Sequence, residues 1–224
     1  MKRVFLLVAL MAGLSTIGYG ADCGIGTMAD YTAGGFSCTI DGLTFSNFQF
    51  GTSGDILASG VGVNPVNGPD GIGFTFNSVW SASGAGDVSD TTITYTVTAE
   101  GATITDLHLS VPTYLSTFGG EIVITENTDP NVATLWFIYS CSGSSTGCST
   151  NANLDAVFEP VQTLTITKDI GAKCSATGSQ DCFASLSEVM NTTTQTEVPE
   201  PATLTLLGTG LLSMAGVLRR KLRK

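Results

Sequence analysis

The chain predicts an all-β domain, an antiparallel β-sandwich with jelly-roll-like wrapping, and three observations carry that reading. Residues 92–98, Thr-Ile-Thr-Tyr-Thr-Val-Thr, alternate apolar and polar without a break, the period of a strand with one buried face. Glycine-rich turn signals recur at short intervals, among them Asp41-Gly42, residues 64–71 and 83–87, Glu100-Gly101 and Gly119-Gly120. Between residues 21 and 198 no window of ten or more residues has helical spacing with caps.

The first element is not part of that domain. Met1-Lys2-Arg3 precedes an apolar run over residues 4–14 and small polar residues ending Gly18-Tyr19-Gly20, the order of a secretory signal peptide. Gly18 and Gly20 suit the pockets of signal peptidase, which places cleavage after Gly20. The run is too short to span roughly 30 Å of hydrocarbon. Cys23 follows closely, but Asp22 stands where a lipoprotein signal needs a small residue.

The exported domain is expected over residues 21–190, long enough for one core. Its strands follow in order. Leu43/Phe45, Phe48/Phe50 and Ile72/Phe74/Phe76 alternate, and residues 92–98 do so most clearly. Ile104, Leu107, Leu109 and Val111 continue with one slip, read as a bulge. Ile122/Ile124, Trp136/Ile138, Val157 with Phe158, and Leu164/Ile166 supply the later strands. No fixed-period repeat occurs, which disfavours a solenoid. Residues 191–198 are polar and threonine-rich and read as a spacer.

Six cysteines in an exported chain indicate a disulfide framework. Fifteen connectivities are open to them. The economical one pairs sequence neighbours: Cys23 with Cys38, Cys141 with Cys148, and Cys174 with Cys182. Zinc is disfavoured, since the chain has one histidine and no Cys-x-x-Cys.

Charge is strongly segregated. Seven of nine basic residues lie at the two ends, so residues 21–198 hold Lys168 and Lys173 against eighteen carboxylates. Nucleic acid is thereby excluded as a partner, because phosphate contacts need clustered cations. With 42% hydrophobic residues, disorder is excluded as well.

At the other end, Val198-Pro199-Glu200-Pro201 precedes an uncharged Leu/Gly-rich segment, residues 202–218, and then Arg219, Arg220, Lys221, Arg223 and Lys224. At ~1.5 Å rise per residue the segment reaches about 26 Å, enough for a thin bilayer with snorkelling arginines. The basic tail keeps its own end cytoplasmic and sends the preceding chain outside. Pro199 and Pro201 hold Glu200 in extended backbone at the membrane face. These residues, 199–224, resemble the PEP-CTERM sorting segment of exported bacterial proteins. The resemblance implies recognition of Pro199, Glu200 and Pro201 by an exosortase, a membrane-bound processing enzyme. It also implies a temporary membrane anchor, removed on the way to the cell surface or extracellular matrix. The domain itself resembles no characterised family.

Candidate chemistry within the domain is sparse. His108 is the lone histidine, and Asp106 shares its strand face, but no nucleophile elbow accompanies them. Paired carboxylates for glycoside hydrolysis are available by count, in a chain poor in Arg, Trp and His. Asp70 with Asn67, and Asp87 with Asp90, offer hard oxygen ligands for a structural Ca²⁺, although no EF-hand pattern is present. No other cofactor is expected. Trp136, Phe137, Ile138 and Tyr139 put rings on both faces of one strand. If Trp136 and Ile138 point inward, Phe137 and Tyr139 form a stacking platform for extracellular polysaccharide; the opposite facing is equally open. The row Thr92, Thr94, Thr96 and Thr98 raises ice binding, but one row cannot tile a flat surface on a twisted sheet. The expectation is a non-enzymatic surface or matrix protein associated with exopolysaccharide. A carbohydrate-binding module is the alternative; an ice-binding protein or a hydrolase follows behind.

Overall fold

The computed structural model describes residues 21–142, 147–175 and 181–197. The signal peptide, the Pro199-Glu200-Pro201 motif, the membrane segment 202–218 and the basic tail lie outside the described residues. Among those described, no helix is long and apolar enough to cross a membrane.

Strands dominate, as the alternation predicts. The chain opens with β1 (Ala21–Asp22), β2 (Gly26–Thr27), a single helical turn α1 (Met28–Tyr31), β3 (Ser37–Ile40) and β4 (Leu43–Thr52). A 3-10 turn at Ala58–Gly60 leads to β5 (Gly62–Gly68), β6 (Gly71–Ser83), β7 (Val88–Ala99) and β8 (Ala102–Thr117). Then come β9 (Gly120–Asp129), β10 (Thr134–Cys141), β11 (Cys148–Asn153) and β12 (Asp155–Val161). The last are β13 (Thr163–Cys174), β14 (Phe183–Thr193) and β15 (Gln195–Glu197).

Two sheets form a sandwich-like fold. The first runs β1-β3-β4-β7-β13-β9-β10-β11; the second runs β12-β8-β14-β6-β5-β2, with β15 paired to β8. Pairing is antiparallel except for β1, which lies parallel to β3. That exception to the expected antiparallel sheet involves two residues, and the disulfide from Cys23 to Cys38 ties the same two segments together. The slip in β8 is real: Ile104 and Leu107 are both buried with two half-buried residues between them, and the pairing with β12 shifts register at the same place.

The core lies between the sheets. Strand parity sends Ile93, Tyr95 and Val97 of β7 inward to meet Phe74 and Phe76 of β6 across the gap. Phe45 and Phe48 of β4 and Tyr31 of α1 complete an aromatic cluster with edge-to-face and tilted contacts, worth ~0.5–1.5 kcal/mol per pair beyond area burial. The predicted disulfides Cys141–Cys148 and Cys174–Cys182 are formed too, and no cysteine of the chain is free.

The expected spacer requires correction. Asn191, Thr192 and Thr193 are the buried end of β14, and residues 195–197 form β15. The composition is polar because the polar atoms are satisfied internally. The Thr192 and Thr193 hydroxyls donate to the carbonyls of Asp70 and Asp106, and the Asp106 carboxylate takes the Thr194 amide at 2.6 Å and its hydroxyl as well.

Candidate functional site

The aromatic strand takes the facing opposite to the proposed platform. Phe137 is buried, and Tyr114 of β8 packs against both Phe137 and Tyr139, ring centroids 4.8 Å apart in each case. Both rings therefore point toward the second sheet, and the Phe137/Tyr139 platform is withdrawn. The cause lies in register: Leu135 and Cys141 share the parity of Phe137 and are buried, so the inward set is the odd-numbered one. Trp136 and Ile138 take the outer face, half-buried, with Thr125 and Asn153 flanking Trp136 and Val123 and Asn151 flanking Ile138. The Trp136 indole donates to Asn151 Oδ1 at 3.4 Å.

The threonine row of β7 is not alone on that outer face. Register sets Thr94, Thr96 and Thr98 opposite Thr167, Thr165 and Thr163 of β13, hydroxyl to hydroxyl at 3.2, 3.1 and 3.4 Å. Each hydroxyl thus spends one bond on its neighbour, which leaves a laterally bonded polar ladder.

Among the loop acids, Asp87 accepts from the amides of Ser83 and Val88 at 2.8 and 3.0 Å, closing the β6–β7 turn. Asp90 of β7, opposite Gly171, is the diagonal neighbour of Asp169 on β13 and hydrogen-bonds with it. Burial, then the Asp90 charge and that bond, raise the Asp169 carboxyl above its ordinary value, against a weaker opposing bond from Thr92. Asp70 stands at the β5–β6 turn. Among the described residues no three His, Cys, Asp or Glu side chains converge as metal ligands.

His108 lies between two carboxylates. Its Nδ1 is 2.6 Å from Asp155 Oδ1, the directly opposed residue of β12, and its Nε2 is 3.5 Å from Asp106 Oδ1. The shared face with Asp106 was legible from the i, i+2 spacing. Asp155 was not, because it comes from a different strand.

The most distinctive polar cluster escaped sequence reasoning and lies inside the sandwich. Lys168 of β13 and Glu126 of β9 are cross-strand partners; both side chains are fully buried, and Lys168 Nζ donates to Glu126 Oε2. Glu126 Oε1 accepts from Asn191 Nδ2 of β14 at 2.9 Å. The same Nδ2 donates to the His108 carbonyl at 2.9 Å, while Asn191 Oδ1 accepts from the Tyr95 hydroxyl of β7. Four side chains from both sheets thus form one connected network. Burial, which penalises the ammonium, lowers the Lys168 amine to about 7. Burial also pushes the Tyr95 hydroxyl well up, so it remains a donor. The signal was present: Lys168 shares parity with Ile166 and Ile170, and Glu126 with Ile122 and Ile124.

Among solved structures the chain is similar to one described as "Structure of TmCBM61 in complex with beta-1,4-galactotriose at 1.4 A resolution", at 9% identity and a TM-score of 0.31, over 65% of this chain and 88% of that one. At that score the likeness carries no argument. No curated protein matches the chain. The family comparison instead bears on the end of the chain, where β15 runs out at Glu197. Residues 197–223 match the PEP-CTERM protein-sorting motif, so the chain carries the sorting signal of an exported protein, one that implies processing by an exosortase.

Proposed function

We propose that this protein is a non-enzymatic component of the cell surface or extracellular matrix, delivered by signal peptidase and exosortase and associated there with exopolysaccharide. The observation that carries the reading is the direct junction of β15 with the sorting motif at Glu197, which makes the sandwich the cargo of the tail. Three disulfides suit an oxidising exterior. The acidic domain repels anionic lipid and stays soluble beside it. Fractionation of the host culture tests it: the processed protein is expected in the matrix fraction, and recovery from the cytosol with free thiols overturns it.

One observation favours a second reading, a carbohydrate-binding module. Trp136 lies half-exposed on the outer face beside Thr125, Asn151 and Asn153, an indole flanked by hydroxyl and amide groups suited to a neutral sugar ring. Trp80 is wholly buried, so a change in tryptophan emission on adding the host's polysaccharide reports Trp136. Unchanged emission together with no co-sedimentation removes this reading and leaves the first intact.

A further inference from the structure

We propose that Lys168, Glu126 and Asn191 form a self-processing cross-linking site, in which the Lys168 amine displaces ammonia from the Asn191 side-chain amide and joins the two sheets covalently. The first support is convergence. One carboxyl group holds the nucleophile on Oε2 and the amide nitrogen on Oε1, so amine and amide are neighbours on a single bridging acid, in a site closed to water.

The second is hydrogen-bond capacity. An ammonium has three donors, yet among the described residues Lys168 Nζ has one acceptor, Glu126. A fully buried ion pair left so incompletely satisfied is a poor source of stability. A secondary amide at the same nitrogen has a single N–H, and Glu126 satisfies it. The lowered affinity of the Lys168 amine for its proton is in keeping with a nucleophile carrying a free lone pair.

The third is polarisation of the electrophile. Tyr95 donates its hydroxyl to Asn191 Oδ1, the oxygen on which negative charge develops when Cγ is attacked. The His108 carbonyl and Glu126 hold Nδ2, which fixes the amide plane.

The step balances without any co-reactant. The Nζ lone pair forms a bond to Asn191 Cγ, and Glu126 takes the Nζ proton at Oε2. The Cγ–Nδ2 bond then breaks as Glu126 passes that same proton on to Nδ2, and ammonia leaves. Amine and primary amide become a secondary amide, and Glu126 is restored. The bond would connect β13 in the first sheet to β14 in the second, close to where the tail pulls on the domain.

Peptide mapping of the exported protein, disulfides reduced and alkylated, tests this. The expected result is a branched peptide joining the Lys168 and Asn191 segments, lighter than the sum of its parts by one ammonia, with no tryptic cleavage after Lys168. Two linear peptides bearing unmodified Lys168 and Asn191 overturn the proposal, as does a branched peptide linking Lys168 to Glu126 with loss of water. Glu126→Ala, where recovered folded, should lose the branch; a folded variant that keeps it overturns the role of Glu126. The wild-type map decides the matter even if that variant does not fold.

Discussion

Gly73 of β6 lies so close to the Asn191 carbonyl of β14 that a methyl group on its Cα would overlap that oxygen. The two strands are paired along nearly their full length, so neither can yield locally. Gly73→Ala should therefore destabilise the domain by roughly 1–3 kcal/mol, despite the usual advantage of alanine over glycine in a strand. Gly60→Ala, with nothing within 4 Å of the added carbon, is the control and should unfold with the wild type in a urea titration.

The facing of β10 makes a second prediction. Phe137→Ala removes a buried ring packed on Tyr114 and should lower stability by roughly 3–5 kcal/mol. Trp136→Ala removes a half-exposed ring and should cost distinctly less. Equal losses in thermal unfolding would mean that the strand is turned over.

Asp169 supplies a pH dependence of definite sign. Its carboxyl is raised above the ordinary 3.8 by burial and by Asp90. A group bound more tightly to its proton in the folded state stabilises below its unfolded value, and that stability is lost as pH rises through the folded value. At neutral pH the contribution is therefore gone. Asp169→Asn, which cannot ionise, should raise the melting temperature at pH 7, and the gain should vanish as pH falls below the ordinary carboxylate value. A gain that persists in acid would show that charge is not its cause.

Glu200→Ala should leave a full-length precursor held in the membrane, seen by mass and by fractionation. Normal processing of this variant would show that the sorting motif is not read through its carboxylate.

Much of this fold was legible because alternation is a direct image of burial. Ile93, Tyr95 and Val97 face inward, as the pattern requires. The disulfides followed from sequence proximity alone. The rest is hidden for a shared reason: in sequence, a buried polar residue looks the same as an exposed one. Lys168 and Glu126 occupy inward parity positions, yet their charge disguises them, since each is paired with a partner distant in sequence. Thr192 and Thr193 were misread likewise, their hydroxyls bonded to carbonyls of β8 and of the turn before β6. Phe137 is ambiguous in sequence because rings stand on both faces of its strand, and only its packing on Tyr114 of the opposite sheet resolves it.

β14 occupies an interior position of the second sheet, between β8 and β6, although it is nearly the last strand of the chain. A polypeptide made from its N-terminus has that slot vacant, the facing edges of β8 and β6 unpaired there, until residues 183–193 are added. The second sheet therefore closes only when nearly the whole sandwich sequence is present, and a chain cut short ahead of β14 would be left with an open seam.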